Sequence, residues 1–499
     1  MTPKRIILGI LTLLTILLVG GSLIDSLTQP QIQSRLELYQ TNLILHATEW
    51  QPEQEFKQDF DTLRNNIIGE NAAKSALQQY ENVQEAAVDN LERIQTLEPT
   101  SQSIYKLKQL QNELEIRIGI LQTEQNKIEE ALNTWQSFIE SNSSDKTQQQ
   151  VQVAKVLRGI WSEPPRILPN AESTIENNLD GWFSYKALSR LYQLQERQED
   201  LQALQAKEQG IAEQAVVKLT IISAIPGVGL FVGVILLLVL GIQLLLKGKE
   251  SILAKNTGVE WLTPWDAETI LQVFVVGFFL VGQLAVPLVF SLIFGFLNVN
   301  PANFDVRSKA FYVLANYGFL MAGGLSVLYF SLKPFFPLPE GWFNVNWKKN
   351  WFLWGLGGYV SALPLVILVS LINQQIWDGQ GGSNPLLPIA LENRDPVALV
   401  IFFVTASIAA PIFEEIMFRG FLLPSLTRYM SLGSAIILSS LFFAIAHMNI
   451  SEVIPLMTLG IVLGFVYTRS RNLLSSMLLH CLWNSGTLLS LYILGSGSA

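Results

Sequence analysis

The sequence has a single cysteine, three histidines and few charged residues among its 499 positions. One thiol, Cys481, excludes a disulfide framework and any cysteine-based zinc cluster. Charged residues make up only 15% of the chain and hydrophobic residues 49%, which argues against a disordered chain and against an ordinary soluble enzyme. Because the net charge is −8, no basic surface is indicated and we expect no nucleic-acid partner.

The stretch from Asp25 to Val217 is poor in glycine and in basic residues. It holds 29 acidic and 17 basic residues, a net charge of −12, and only five of the 34 glycines. Apolar residues recur at helical spacing in 103–140 and 185–215, which predicts an α-helical domain over residues 25–217. This domain loosely resembles tetratricopeptide repeats, although no 34-residue period is found. Binding of a protein partner is one function open to it.

Long stretches without charge follow this domain. No charged residue occurs between Lys218 and Lys247, or between Glu268 and Asp305, and such gaps are typical of membrane spans. In a membrane domain over residues 218–499, the spans are predicted near Leu219–Leu246, Ile270–Leu297, Ala310–Leu332, Trp351–Ile372, Val397–Phe413, Ser434–His447, Val453–Tyr467 and Leu473–Leu494. The predicted fold class is all-α: a polytopic α-helical membrane protein, embedded in the lipid bilayer, with an inserted extracytoplasmic α-helical domain.

A ninth apolar run, Ile6–Ile24, lies near the start of the chain and follows Lys4 and Arg5. It is close to the length that spans a bilayer and has no clear cleavage site, so residues 1–24 are predicted to be an uncleaved anchor.

The distribution of Lys and Arg predicts the topology. With a cytoplasmic N-terminus, the inside loops carry Lys247, Lys249, Lys255, Lys333, Lys348, Lys349, Arg428, Arg469 and Arg471. The outside loops carry only Arg307, Lys309 and Arg394. An excess of Lys and Arg on one side is the positive-inside signal. The chain is therefore predicted to be an integral, multi-pass membrane protein with residues 25–217 outside the cytoplasm.

Polar and ionisable residues inside membrane spans are costly and mark functional sites. The last hundred residues concentrate them, at Glu414, Glu415, Arg419, His447, His480 and Asn484. Four-residue spacing puts Glu415 and Arg419 on one helical face, where they can form an ion pair. The same spacing relates His480 to Asn484. A carboxylate, two imidazoles and an amide that converge in one pocket suit hydrolysis, which needs a base for water and donors for the developing oxyanion.

Three motifs occur in order: Glu414-Glu415-x-x-x-Arg419, Phe443-x-x-x-His447 and His480-x-x-x-Asn484. With the surrounding Phe413–Leu423, FEEIMFRGFLL, they resemble the motifs of the CPBP intramembrane endopeptidases. That family includes the type II CAAX prenyl proteases, bacteriocin-processing and immunity proteins, and proteins like lysostaphin resistance protein A. The motif region covers residues 397–489, and the helical domain lies outside the resemblance.

The resemblance implies an all-α membrane fold with its active site inside the bilayer. The implied substrates are membrane-associated proteins or peptides, including lipidated ones. Glu414 would activate water together with His447, while His480 and Asn484 would stabilise the oxyanion. The supporting residues, which would hold the site in shape, are Glu415, Arg419 and Phe443.

Several alternatives stay open. No cofactor is established, but Glu414, His447 and His480 have the composition of a catalytic zinc set, although no H-E-x-x-H helix is present. Glutamate-activated water is the preferred mechanism. Two other functions are a non-catalytic immunity or scaffold protein and a proton-coupled transporter. The intact motifs argue against the former, and the lack of an internal repeat in the membrane half argues against the latter. Cys481 points away from His480 on a helix and is interpreted as a packing residue.

Overall fold

The computed structural model describes residues 2–27, 33–51, 68–69, 71–95, 101–142, 148–258, 261–377, 381–382 and 395–495. The structure is 83% helical, and the residues it describes include no β-strand. Eight of the described helices are long and apolar enough to cross a membrane. The prediction of an all-α, polytopic membrane protein is confirmed.

The chain divides into two compact units. We name Ile32–Ala224 with Ile493–Ala499 the helical unit, and Met1–Gln31 with Ile225–Tyr492 the membrane unit. The principal helices are, in chain order, α1 (Pro3–Ser26), α2 (Gln33–Thr48), α3 (Ala72–Gln95), α4 (Ser101–Glu124), α5 (Ile128–Ser141), α6 (Gln148–Trp161), α7 (Ala171–Asn178), α8 (Gly181–Leu194), α9 (Gln198–Lys247), α10 (Ala267–Phe296), α11 (Val306–Leu332), α12 (Trp351–Trp377), α13 (Pro396–Leu426), α14 (Leu432–Ile445), α15 (Val453–Ser470) and α16 (Leu473–Gly495). Helix α9 contributes residues to both units.

Amphipathic helices build the helical unit. In α5, Ala131, Trp135 and Phe138 recur at helical spacing and are buried on one face, where they join a core that includes Tyr80 and Phe183. Burial of each large apolar side chain contributes about 1.5–3 kcal/mol. The described helices α2 to α8 range from 8 to 24 residues in length, and the resemblance to tetratricopeptide repeats stays a prediction.

The membrane unit differs from the prediction in two of its spans. The predicted span Ser434–His447 corresponds to α14, which has 14 residues and is therefore roughly 21 Å long, short of the ~30 Å hydrocarbon core. Nine predicted spans are thus corrected to eight long helices and one short apolar helix. The predicted span Val397–Phe413 does not end at the motif, because α13 continues to Leu426.

Contacts among the loops show which ends of the membrane spans lie on the same side of the membrane unit. At the first end, Lys4 contacts Glu268 at 2.9 Å, and Asn256 donates to the carbonyl of Arg469 at 2.6 Å. Loops that follow α9, α11 and α15 are joined here by further hydrogen bonds, from Trp342 to Leu262, from Arg469 to Leu253 and from Asn344 to Arg471. We name this the basic end.

At the opposite end of these spans, Arg307 pairs with Asp395 at 2.9 Å, and the amide of Ile450 donates to the Ser26 hydroxyl at 3.0 Å. The loops predicted to lie inside therefore share one end, and Arg307 lies at the other. Arg394 lies outside the described residues. Which end faces the cytoplasm stays a prediction.

Candidate active site

Helix α13 carries the first motif, and its backbone departs from regular α-helix on both sides of it. Residues Thr405–Ala409 and Ile416–Leu422 are π-helical, with α-helix between them over Ala410–Glu415. Such π turns are rare and often occur at functional sites. In the first of them, the amide of Ala410 donates to the carbonyl of Thr405, five residues back.

Pro411 leaves the next carbonyl in this pattern without a backbone donor. In the π-helical pattern, residue 411 would donate to Ala406, but proline has no N–H. The side chain of Asn484, on α16, supplies the missing donor: its Nδ2 donates to the carbonyl of Ala406 at 2.8 Å. This hydrogen bond joins the third motif to α13, the helix that carries the first motif.

Glu414 and Glu415 lie in different surroundings although they are adjacent. Glu415 is fully buried, whereas the side chain of Glu414 is 16% exposed. Glu415 Oε1 accepts a hydrogen bond from Arg419 Nη1 at 2.8 Å, one helical turn along α13. Successive helical positions differ by about 100°, so only one of the two carboxylates can face Arg419.

Arg419 is buried, and several groups complement its charge. Besides Glu415, its Nη2 donates to the carbonyl of Gly460 at 3.1 Å, and its guanidinium lies 4.5 Å from the centroid of the Phe443 ring. A Cβ atom on Gly460 would lie 2.8 Å from the Cβ of Ser440, so a glycine is needed for α15 to approach α14 this closely. Cation–π contact and the carbonyl complement the charge of the guanidinium where water is excluded.

His480 lies between the two carboxylates. Its Nδ1 is 3.0 Å from Glu415 Oε1, and its Nε2 is 3.9 Å from Glu414 Oε2. The imidazole is almost completely buried. Because the ion-paired carboxylate of Glu415 can only accept, Nδ1 carries the hydrogen. In neutral His480, Nε2 is therefore a bare acceptor that faces Glu414.

His447 has the same tautomer as His480, with the hydrogen on Nδ1, but its acceptor is a backbone carbonyl and not a carboxylate. Its Nδ1 lies 2.9 Å from the carbonyl oxygen of Phe443, which can only accept, so Nε2 is the bare nitrogen of the neutral ring. The Phe443 ring contacts both imidazoles edge-on, with centroid distances of 5.0 Å to His447 and 5.5 Å to His480. One phenyl ring thus positions both histidines and Arg419.

Tyr317, on α11, also contacts Glu414 and was not predicted from the sequence. Its hydroxyl donates to Glu414 Oε1 at 3.3 Å, and its ring packs edge-on against Phe413 at 6.3 Å. The available signal was Asn316-Tyr317, a pair of adjacent polar residues within a predicted membrane span. No spacing relates α11 to the motifs, so only the fold brings this hydroxyl to Glu414.

The zinc alternative, with Glu414, His447 and His480 as ligands, stays a prediction. Within the described ranges, no group of three or more His, Cys, Asp or Glu side chains is placed to hold a metal ion. Two of the candidate ligands, His447 and His480, already use Nδ1 on protein acceptors. Cys481 is half-buried next to His480.

Comparison with protein families gives a match in the region that carries these residues. Residues 396–486 match the type II CAAX prenyl endopeptidases, described as Rce1-like. The match starts at the first residue of α13 and includes all three motifs. It confirms the resemblance predicted from the sequence. It covers a minor part of the chain and leaves the helical unit outside.

Two curated relatives align with the same part of the protein. The membrane-embedded CAAX protease MroQ of Staphylococcus aureus (strain USA300) is 29% identical over 144 residues, which is 28% of this chain and 57% of the relative. The putative membrane peptidase YdiL of Bacillus subtilis (strain 168) is 26% identical over 133 residues, 27% of this chain and 53% of the relative. The chain therefore spans about half the length of the curated relatives it matches. No solved structure matches it significantly.

Proposed function

We propose that this chain is an intramembrane endopeptidase that hydrolyses a peptide bond with water activated by Glu414. The observation that carries the proposal is the pair of acceptors formed by Glu414 Oε2 and His480 Nε2, 3.9 Å apart. Similarity of residues 396–486 to the type II CAAX prenyl endopeptidases supports it.

The two acceptors suit one water molecule. They are too far apart for a direct hydrogen bond, but a water oxygen about 2.8 Å from each can donate one hydrogen to Glu414 and the other to His480. A lone pair is then left to attack the scissile carbonyl carbon. Glu414 takes the proton as the C–O bond forms and gives it to the amine nitrogen as the C–N bond breaks. Water thus supplies a hydroxyl to one product and a hydrogen to the other.

Tyr317 determines which oxygen of Glu414 accepts the proton from water. Its hydroxyl donates to Oε1, so Oε2 is left as the proton acceptor. Glu415 and Arg419 act through His480: Glu415 accepts the Nδ1–H of His480, Arg419 holds Glu415 in place, and Nε2 is thereby directed at Glu414. His447, whose Nε2 is bare in the neutral tautomer, is the alternative to His480 as the acceptor of the second hydrogen of the water.

The oxyanion of the tetrahedral intermediate needs hydrogen-bond donors. Asn484 retains one N–H after donating to Ala406 and can supply it. His480 can donate from Nε2 only in its protonated form, because Glu415 holds the other ring N–H. We therefore assign Asn484 as the oxyanion donor, and His480 as a second donor only where its Nε2 also carries a hydrogen.

The test is cleavage of a membrane-tethered peptide library, with prenylated and unlipidated members, by the full-length protein in liposomes. Glu414→Gln keeps the size of the side chain but removes the proton acceptor, and should lower the rate by about 10²–10⁴-fold. His447→Ala is expected to be inactive as well. Glu340→Gln, at an exposed loop glutamate, is the matched control and should cleave at the wild-type rate.

Three outcomes would change the proposal. Wild-type turnover by Glu414→Gln contradicts water activation by this residue. Activity that disappears with a chelator and returns with zinc would assign Glu414, His447 and His480 to a metal ion instead. A wild-type protein that cleaves no member of the library would favour the non-catalytic scaffold.

We propose that the basic end of the membrane unit faces the cytoplasm and that the helical unit lies outside it. The loops that share the basic end carry most of the Lys and Arg of the membrane unit, as the positive-inside rule requires. In a Cys481→Ser background, Asn142→Cys should react with an impermeant maleimide in intact cells, while Asn350→Cys should react only after lysis. The reverse pattern would invert the topology.

For the helical unit we propose binding of a peptide partner with basic side chains. A cleft of about 980 Å³ is lined mainly by amides and carboxylates. Glu115 lines it without a hydrogen-bond or ion-pair partner in the part of the chain that the structure describes, and burial raises the pKa of this carboxyl. A cation from a partner would offset that burial. Lysine-containing peptides should bind the full-length protein more tightly than alanine-matched ones, and Glu115→Lys should remove the difference; equal binding contradicts the proposal.

A further inference from the structure

A small basic pocket lies at the basic end of the membrane unit, where α12 begins and α15 ends. Its volume is about 200 Å³. It is lined by Lys255, Lys349, Asn350, Trp351, Trp354, Ser470 and Asn472. None of the three motifs contributes a residue to this lining, so the pocket is separate from the candidate active site.

The lining carries two ammonium groups and no carboxylate. In the residues that the structure describes, neither Lys255 nor Lys349 forms an ion pair with a side chain of this chain. Lys255 Nζ lies 6.0 Å from the centroid of the Trp354 ring, at the outer limit of a cation–π contact. The two ammonium groups repel each other across the cavity, and a bound anion would be attracted to both of them.

The floor of the pocket is fixed before any ligand binds. Asn472 is fully buried, and its Nδ2 donates to the carbonyl of Asn346 at 2.7 Å while its Oδ1 accepts from the amide of Asn346 at 3.2 Å. The amide of Leu473 donates to the carbonyl of Asn344 at 2.9 Å. The loop before α12 is thus tied to the turn between α15 and α16, and little ordering is needed on binding.

The pocket lies at the level where membrane lipids carry their headgroups. Trp351 is the first residue of one membrane span and Ser470 the last residue of another. Tryptophan is enriched at this interface because its ring is apolar and its N–H is polar. Next to the pocket on α12, Phe352 and Leu353 are exposed, and they offer an apolar surface for acyl chains.

We propose that this pocket binds the phosphate of an anionic phospholipid headgroup. The two lysines would pair with the phosphate, the indoles of Trp351 and Trp354 would line the headgroup, and the acyl chains would lie against Phe352 and Leu353. A basic pocket between membrane helices is the setting in which anionic headgroups bind. The proposal does not depend on peptidase activity.

The test measures lipid binding to the full-length protein by native mass spectrometry, with phosphatidylglycerol and phosphatidylcholine offered in mixed micelles. Wild type should retain phosphatidylglycerol in preference, and Lys255→Gln/Lys349→Gln should bind it about 30-fold more weakly, as expected for two interfacial lysines. The matched control is Lys247→Gln/Lys249→Gln, which removes two exposed charges at the end of α9 and just beyond it that do not line the pocket. Thermal denaturation of each variant checks its folding.

Equal retention of phosphatidylglycerol by the pocket variant and the control variant would overturn the proposal. Competition by millimolar inorganic phosphate, with loss of the lipid, would identify a free-phosphate site and also overturn the lipid assignment. Glu414→Gln should retain the lipid as wild type does, so failure of the proposed peptidase and failure of the lipid site are distinguishable.

Discussion

Each unit of the molecule buries a histidine against a glutamate, and the two pairs differ in what surrounds them. In the helical unit, His46 Nδ1 lies 2.5 Å from Glu208 Oε1; in the membrane unit, His480 Nδ1 lies 3.0 Å from Glu415 Oε1. All four side chains are at most 4% exposed. Glu415 also binds Arg419, whereas no second cation binds Glu208 among the described residues.

The outer nitrogen of each imidazole has a different neighbour. A Cβ atom on Gly181 would lie 3.0 Å from His46 Nε2, so this nitrogen packs against backbone, and Gly181 has a positive φ of 54°. His480 Nε2 instead faces a second carboxylate, Glu414. The comparison shows what separates a structural pair from a chemical one: a cation that balances the inner carboxylate, and an outer nitrogen left open to a reactant.

Removal of Arg419 should have the largest effect on stability. Arg419→Ala leaves the fully buried Glu415 without its cation, and breaking a buried pair in this way costs about 3–5 kcal/mol. We expect strongly reduced abundance in the membrane and a lower denaturation temperature. Lys309→Ala, at a half-buried residue of the same unit that forms no buried ion pair in the described part of the chain, is the control. Normal abundance and denaturation temperature for Arg419→Ala would show that the pair is not needed to balance the charge.

Loss of the groups that face the reactant should come next, and should affect rate more than folding. Asn484→Ala removes the proposed oxyanion donor, and His480→Ala removes an acceptor for the water. Asn484→Ala should lower kcat by about 10²–10³-fold, the usual cost of losing one oxyanion donor. His480→Ala should lower it by about 10²–10⁴-fold, the usual cost of losing a group that takes part in proton transfer. Cleavage kinetics and thermal denaturation, measured together, separate the two effects. If Asn484→Ala unfolds the protein, its bond to Ala406 is the dominant role of this residue.

The His46–Glu208 pair should show a smaller effect, on stability alone. His46→Ala leaves a buried acceptor unsatisfied, which costs about 1–3 kcal/mol. Replacing both residues by leucine should recover much of this loss, because two apolar side chains leave no buried polar group. Chemical denaturation of the full-length protein, followed by a probe in the helical unit, measures both. A change in cleavage rate at unchanged stability would contradict a purely structural role.

The partly exposed ion pair of Glu172 and Arg197, in the helical unit, is expected to contribute least to stability. Hydrogen bonds from Arg197 and then Tyr192 lower the pKa of Glu172 below its ordinary value of 4.5. A carboxylate with a lowered folded pKa stabilises the fold above its unfolded pKa, and this contribution is lost as the pH falls through the folded pKa. Wild type should therefore lose less than about 1 kcal/mol relative to Glu172→Gln on acidification below pH 4.5. An identical pH dependence for both proteins would contradict the contribution.

The parts of the site that lie close in sequence could be predicted from it. Four-residue spacing related Glu415 to Arg419 and His480 to Asn484, because a helix fixes that geometry locally. The direction of each side chain toward other helices could not be predicted in this way. Asn484 reaches Ala406 and Tyr317 reaches Glu414, and both contacts join segments that no periodicity relates.

The lengths of the membrane helices were predicted less well, for a physical reason. We ended a span at Phe413 because charged residues follow it, but Arg419 and Glu415 balance each other inside the protein, and α13 continues to Leu426. Apolar composition alone also predicted α14 as a full-length span, although its 14 residues make it shorter than the hydrocarbon core is thick.

Pro411 has a consequence for how the helices find their register. In a membrane helix whose backbone carbonyls are all hydrogen-bonded, no carbonyl favours one axial position of a neighbouring helix over another. The carbonyl of Ala406, which lacks a backbone donor, favours the one position at which Asn484 can donate to it. Displacing α16 by one turn, about 5.4 Å, would bring Asn484 opposite a different level of α13 and leave Ala406 unpaired. The proline thus fixes the axial position of α16, because Asn484 can pair with Ala406 only where His480 also faces Glu414.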